Sequence, residues 1–196
     1  MRQFRTERRI QKITEAIKAR QHSLRVVIEN VHDPHNVSAI FRTCDAVGIP
    51  KVSLLYTIEK LPKISRITSS SANKWVESES FTKTETCFNS LRKEGFKIYS
   101  TLLDKNAKSI YEVDFTEKIA IVMGNEHRGI SKEAANLSDG TIYIPMKGMI
   151  QSLNVSVAAA IVLYEALRQR DANGNYLKSE LSEELIEQMI DDWCDR

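Results

Sequence analysis

Three short segments of this 196-residue chain carry side chains that could do chemistry together. The first runs Asp33-Pro34-His35-Asn36 and continues to Arg42; the second is Gly124-Asn125-Glu126-His127-Arg128-Gly129-Ile130-Ser131; the third is Lys147-Gly148-Met149-Ile150-Gln151-Ser152-Leu153-Asn154. Amides, guanidinium groups, a carboxylate and hydroxyls in such loops can clamp an anion, orient a hydroxyl or hold a proton. Each also has a plain structural reading. Asn36 falls where a helix begins and could cap it. Arg42, one turn from Ser38 and near Asp45, could be a solvated cation or an ion-pair partner. His127 beside Glu126 reads as a surface histidine, because adjacent residues point in different directions. Gly124, Gly129, Gly140 and Gly148 lie in or beside the later loops, where turns or a close approach to a ligand would use them.

Other chemistries lose support. No GxGxxG follows the first predicted strand and no GxxxxGK[ST] occurs, which argues against ordinary dinucleotide and P-loop binding. There is neither HExxH nor GxSxG, and His22, His32, His35 and His127 show no metal spacing, so no metal is expected. Cys44, Cys87 and Cys194 are odd in number and widely spaced, which points to reduced thiols rather than a disulfide framework.

The elements that must position these loops follow from periodicity. Arg25–Val31 reads as a strand, and Val37, Ile40, Phe41, Cys44 and Val47 recur at helical spacing up to Gly48. Lys51–Tyr56 is a second strand; residues 84–94 suit a helix ended by Gly95; Phe96–Leu103, Lys118–Met123 and Thr141–Met146 suit further strands. Strands alternating with helices imply an α/β fold with a mostly parallel sheet flanked by helices. Ligands of such sheets collect beyond the carboxyl ends of the strands, which is where all three segments fall. Val155–Arg170, apolar on most faces through Tyr164, predicts a largely buried helix, and Leu181–Trp193 a separate amphipathic one. Ser69-Ser70-Ser71-Ala72-Asn73 has no core-forming pattern and reads as loop or helix start.

With 42% hydrophobic and 28% charged residues the chain can bury one sizeable core. Its longest uninterrupted apolar run is Val157–Tyr164, too short to span a bilayer, and the arginines at the N-terminus are not followed by a secretory signal, so a cytoplasmic protein is expected. The net charge of +2 hides an asymmetry: residues 1–25 carry eight Lys or Arg against two acids, and residues 178–196 carry two against seven. Ile10, Ile13 and Ile17 recur at helical spacing over residues 6–20, and this basic, amphipathic helix could bind a polyanion, or pair with the acidic tail as a solvated face.

Taken together, Asn36–Gly48, Ile121–Ser131 and Ile144–Ala160 resemble the three motifs of the SPOUT ribose methyltransferases, most closely the group that methylates the 2′-oxygen of guanosine 18 in tRNA. The resemblance covers residues 22–172 and implies three parts: a basic helical extension over 1–21 that binds tRNA, the methyltransferase domain over 22–172, and an acidic amphipathic helix over 173–196. It also implies a deep trefoil knot in the C-terminal part of the domain, a homodimer, and S-adenosylmethionine as methyl donor. None of these follows from periodicity, and knots are rare enough that pattern reasoning alone would reject one.

By the same resemblance the donor would contact Thr101 and Leu102, then Met123, Gly124 and Asn125, then Ile144, Met146, Ser152 and Leu153. Asn36, Arg42, Glu126, Ser152 and Asn154 match the positions used for catalysis and substrate positioning. Arg5, Arg8, Arg9, Lys12 and Arg20 become candidate phosphate contacts, with a strong salt dependence expected. Rival targets are an anticodon wobble ribose or a ribosomal RNA ribose. A rival of another class is a non-catalytic RNA-binding protein that keeps the fold.

Overall fold

The computed structural model describes residues 2–62 and 74–196, so the Ser69–Ser71 segment lies outside the described residues. The elements run α1 (Glu7–Lys18), β1 (Leu24–Glu29), α2 (Pro34–Ala46), β2 (Lys51–Leu55), β3 (Glu77–Phe81), α3 (Thr84–Lys93), β4 (Lys97–Thr101), β5 (Lys108–Ser109), β6 (Ile119–Met123), α4 (Lys132–Leu137), β7 (Gly140–Tyr143), α5 (Val155–Ala172) and α6 (Glu183–Asp195). The seven strands form one sheet in the order β3-β2-β1-β6-β4-β7-β5, every pairing parallel.

β1 (LRVVIE) and β6 (IAIVM) are buried at every residue, which is why they read as near-continuous apolar runs: a parallel sheet is covered on both faces. One face packs against α2 and α5 through Ile40, Phe41, Cys44, Ala159, Val162 and Leu163; the other packs against α3 and α4 through Phe88, Leu91 and Ala134. Gly48 ends the α2 region with φ 85°, and a Cβ there would stand 2.7 Å from the Ala19 carbonyl oxygen, so that turn admits only glycine.

Several expectations need correction. β3 (ESESF) was not anticipated, because serine and glutamate are poor strand formers; at the sheet edge Glu79 is instead held by Lys51 (2.6 Å), Arg25 (2.8 Å) and the Ser53 hydroxyl (2.9 Å). The strand expected over Thr141–Met146 ends at Tyr143, leaving residues 144–154 as a connection. Helix α2 is capped by Asp33, whose side chain accepts the His35 N–H with Pro34 in the first turn, so Asn36 is not its N-cap. Helix α5, expected to be largely buried, buries Val155 and Ala159 but leaves Val157 47% and Tyr164 54% exposed, so one face of it stays open within one chain.

α1 and α6 pack on each other through Ile13, Ile17, Ile186, Ile190 and Trp193. Arg2 pairs with Glu187 (2.7 Å) and Asp191 (2.9 Å), and Arg5 Nε donates to the Cys194 carbonyl (2.7 Å), so the tail helix holds the two arginines that precede α1. Arg20 is removed from the phosphate-contact set. It is 2% exposed, donates to Asp45 (2.6 Å) and the Ile49 carbonyl (3.1 Å), and stacks 5.1 Å from the Trp193 ring. Arg8, Arg9 and Lys12 remain exposed.

Candidate functional site

Beyond the carboxyl ends of β4, β6 and β7 lies a cleft of about 400 Å³. That volume is in the range of small-molecule and cofactor sites. Each of the nine residues expected to contact the donor lines it: Thr101 and Leu102 after β4, Met123, Gly124 and Asn125 at the end of β6, and Ile144, Met146, Ser152 and Leu153 in the connection after β7. Sequence reasoning did not name the wall formed by Val155, Ala158 and Val162 of α5; an apolar helix facing a cleft has the same pattern as one facing a core.

The loop after β6 is fixed from within. A Cβ on Gly124 would lie 2.5–2.7 Å from the Gly129 and Ile130 backbone, so the two arms of the loop touch only because that side chain is missing. Asn125 and Gly129 exchange both backbone hydrogen bonds (3.0 and 2.9 Å), and the Asn125 Oδ1 accepts the N–H groups of His127 (2.9 Å) and Arg128 (3.0 Å). Asn125 is 7% exposed, and its Nδ2 donates to the Asn30 carbonyl (2.6 Å).

Beside the cleft, Glu126 in the loop after β6, Asn36 in the first turn of α2 and Asn154 at the start of α5 form a relay. Glu126 Oε2 accepts the His32 N–H (3.0 Å), and its Oε1 accepts the Asp33 N–H (3.1 Å) and Asn36 Nδ2 (2.9 Å). Asn36 Oδ1 in turn accepts from Asn154 Nδ2 (3.1 Å), while Asn154 Oδ1 caps α5 by accepting the Ser156 N–H (2.8 Å). Burial pushes the Glu126 carboxyl up, but the hydrogen bonds from Asn36 and from backbone N–H groups outweigh it and hold the group below the usual carboxylate range. Through these hydrogen bonds Glu126 ties the β1–α2 turn to the β6 loop.

Ser152 lines the cleft, so four of the five expected catalytic positions gather here. Arg42 does not. It lies nearly two turns along α2 from Asn36, exposed, and outside the cleft lining, with no hydrogen bond or ion pair among the described residues. Asp45, which could have paired with it, is taken by Arg20. His127 is exposed at the cleft margin.

Residues 23–164 match the SpoU rRNA Methylase family. A tRNA (guanosine(18)-2′-O)-methyltransferase of Thermus thermophilus is 44% identical over 189 residues, spanning 96% of this chain and 97% of that one. One of Escherichia coli is 43% identical over 170 residues, 87% of this chain and 74% of its own. The crystal structure of the Aquifex aeolicus TrmH/SpoU tRNA modifying enzyme superposes with a TM-score of 0.88 at 41% identity, covering 95% of both chains. The SpoU methyltransferase AviRb of Streptomyces viridochromogenes, solved in complex with the cofactor AdoMet, superposes with a TM-score of 0.70 at 26% identity over 80% of this chain and 64% of that one.

Proposed function

The chain belongs to the SpoU rRNA methylase family, and from that premise we propose that it methylates the ribose 2′-hydroxyl of guanosine 18 in tRNA, with S-adenosylmethionine as donor. The observation that carries this reading is the juxtaposition of the cleft with the Glu126–Asn36–Asn154 relay. The residues fit the donor: Leu102, Ile144, Leu153 and Val162 offer apolar contact to a purine, and the side-chain-free Gly124 lets the β6 loop fold back beside it. When bound, S-adenosylmethionine supplies a methyl group activated by a sulfonium.

What the protein itself contributes is placement. The relay locks the start of α2, which carries Asn36, to the loops that carry Glu126, Ser152 and Asn154, so little reorganisation remains to be done when RNA arrives. Arg42 clamps the phosphate and hydroxyl of the target nucleotide; a guanidinium with a pKa above about 12 is a poor base at neutral pH, and bidentate anion binding is what its geometry suits. Arg5, Arg8, Arg9 and Lys12 hold phosphates further along the tRNA.

The active form is a homodimer in which Arg42 of one protomer serves the cleft of the other. The exposed Val157 and Tyr164 of α5, together with Arg42 lying off its own cleft, support this. A C-terminal trefoil knot belongs to the same proposal, supported by β6 standing between β1 and β4 and by α5 returning to pack on α2. Among the described residues no helix is long and apolar enough to cross a membrane, and action on tRNA fits the cytoplasm.

The test is nucleoside mass spectrometry of an unmodified tRNA transcript after incubation with protein and S-adenosylmethionine. We expect 2′-O-methylguanosine, absent when guanosine 18 is substituted and at least about 100-fold slower to form with Arg42→Ala. Methylation that survives the substitution would discard the site and keep the chemistry. Mixing Arg42→Ala with Gly124→Val protomers should recover part of the activity if the site is shared; no recovery would place Arg42 at its own cleft.

A further inference from the structure

Asn30, at the end of β1, has no part in the chemistry above. It is 3% exposed and left-handed, with φ 50°, a conformation that Asn tolerates better than most side chains. Its Oδ1 accepts three consecutive backbone N–H groups, from Thr57 (3.0 Å), Ile58 (3.0 Å) and Glu59 (3.2 Å), and its Nδ2 donates to the Thr57 hydroxyl (3.0 Å). Its own N–H donates to the Leu55 carbonyl (2.9 Å), and its carbonyl accepts Asn125 Nδ2 (2.6 Å). One residue thus joins the carboxyl ends of β1, β2 and β6.

The turn wound around Asn30 presents Glu59. That carboxylate pairs with Arg128 and stands 3.4 Å from His32 Nδ1, and the hydrogen bond from Arg128 is the main reason it is held below the usual carboxylate range. His32 and Arg128 are exposed and flank Glu126, which accepts the His32 N–H; Arg128 also lines the cleft.

We propose that Asn30 is a positioning residue for the RNA side of the reaction: it winds the 57–59 turn and, through Glu59, holds His32 and Arg128 at the cleft mouth to meet the phosphate of the target nucleotide. This rests on the methyltransferase reading. The two tasks of Asn30 fall on different atoms. The donor-side loop hangs from its backbone carbonyl, and the RNA-side turn hangs from its side chain. Removing the side chain alone therefore separates them.

The experiment compares full-length wild type, Asn30→Gly, Asn30→Asp and Glu59→Gln by calorimetric binding of S-adenosylmethionine and by steady-state methyl transfer to an unmodified tRNA transcript. Glycine keeps the positive φ without strain, so Asn30→Gly should raise KM for tRNA about tenfold while the donor Kd stays within about twofold. Asn30→Asp keeps an oxygen for the three N–H groups and should recover most of that loss. Glu59→Gln should give a rise of about threefold. The proposal is overturned if Asn30→Gly leaves KM for tRNA at the wild-type value, or weakens donor binding as much as it weakens tRNA. Should Asn30→Gly fail to fold, Glu59→Gln decides: an unchanged KM for tRNA overturns the proposal and a raised one upholds it. A wild-type protein that methylates no tRNA removes the underlying reading, an outcome distinct from an active wild type with indifferent variants.

Discussion

The two edges of the sheet are tied together by different chemistry. At the amino edge, buried arginines do it: Arg170, 0% exposed, donates to the carbonyls of Phe115 (2.8 Å), Ser23 (3.2 Å) and Glu117 (2.7 Å), to Gln21 Oε1 (3.0 Å) and to the Ser23 hydroxyl (2.7 Å). Arg25 spans Glu79 and Glu94, and Arg20 spans Asp45 and Ile49. At the carboxyl edge the same service is done by amides and one carboxylate, namely Asn30, Asn36, Asn125, Asn154 and Glu126. Arg170, whose five N–H groups all find acceptors, has nothing left for a ligand. Amides bridge backbone groups at little desolvation cost and leave an open cleft between the loops they hold. One edge fixes the fold and the other fixes a site.

This contrast is most directly broken at Arg170. Arg170→Ala leaves several buried carbonyls without a donor, and urea unfolding should show a loss of about 3–5 kcal/mol. Donor binding to whatever fraction stays folded should be little changed, because the cleft lies at the opposite edge. A loss below about 1 kcal/mol would mean that the amino edge is not held by this residue.

At the other edge, Glu126→Gln keeps the shape but turns an acceptor of three hydrogen bonds into a mixed donor and acceptor. Stability should fall by about 1–2 kcal/mol and methyl transfer by a larger factor. The pH dependence has a fixed sign. Glu126 is held below the usual carboxylate range in the folded state, so its stabilisation is fully present at neutral pH and is lost as pH falls through the folded value. The stability difference between wild type and Glu126→Gln should therefore shrink on acidification, which urea titrations at stepped pH would measure; a constant difference would assign the effect to packing.

The smallest effect sharpens the contrast within the basic set. Arg8→Ala should leave stability within about 0.5 kcal/mol and lower the slope of log affinity for tRNA against log salt by roughly 0.7–0.9. Arg20→Ala should do the reverse, costing stability through Asp45, Ile49 and Trp193 while the slope stays put. If both variants change the slope equally, Arg20 reaches RNA despite its burial.

Periodicity made α1, β1, β2, α2, α3, β4, β6, α5 and α6 legible, because each buries an apolar run or stripe whose spacing is set by its own backbone geometry. β3 was not legible, since its residues are satisfied by Lys51, Arg25 and Ser53, neighbours that only the fold supplies. In the site, the three motif segments could be recognised by residue type and order, and the nine positions expected to contact a donor line one cleft. Their hydrogen-bond roles could not be read. Asn36 is spaced as a cap, yet it is a link between Glu126 and Asn154, residues distant in sequence, while Asp33 does the capping.

The sequence by itself determined which side chains were available, that the sheet is mostly parallel, and that the chemically able loops share its carboxyl edge, because these depend on local period and strand direction. The tertiary structure alone decided which arginines are used up in the fold. Arg20 and Arg42 are alike as side chains, and only long-range packing gives the first Asp45, Ile49 and Trp193 and leaves the second without a partner among the described residues. Charge and periodicity describe a residue and its near neighbours in the chain, whereas the acceptors that engage a guanidinium come from elements brought together by folding.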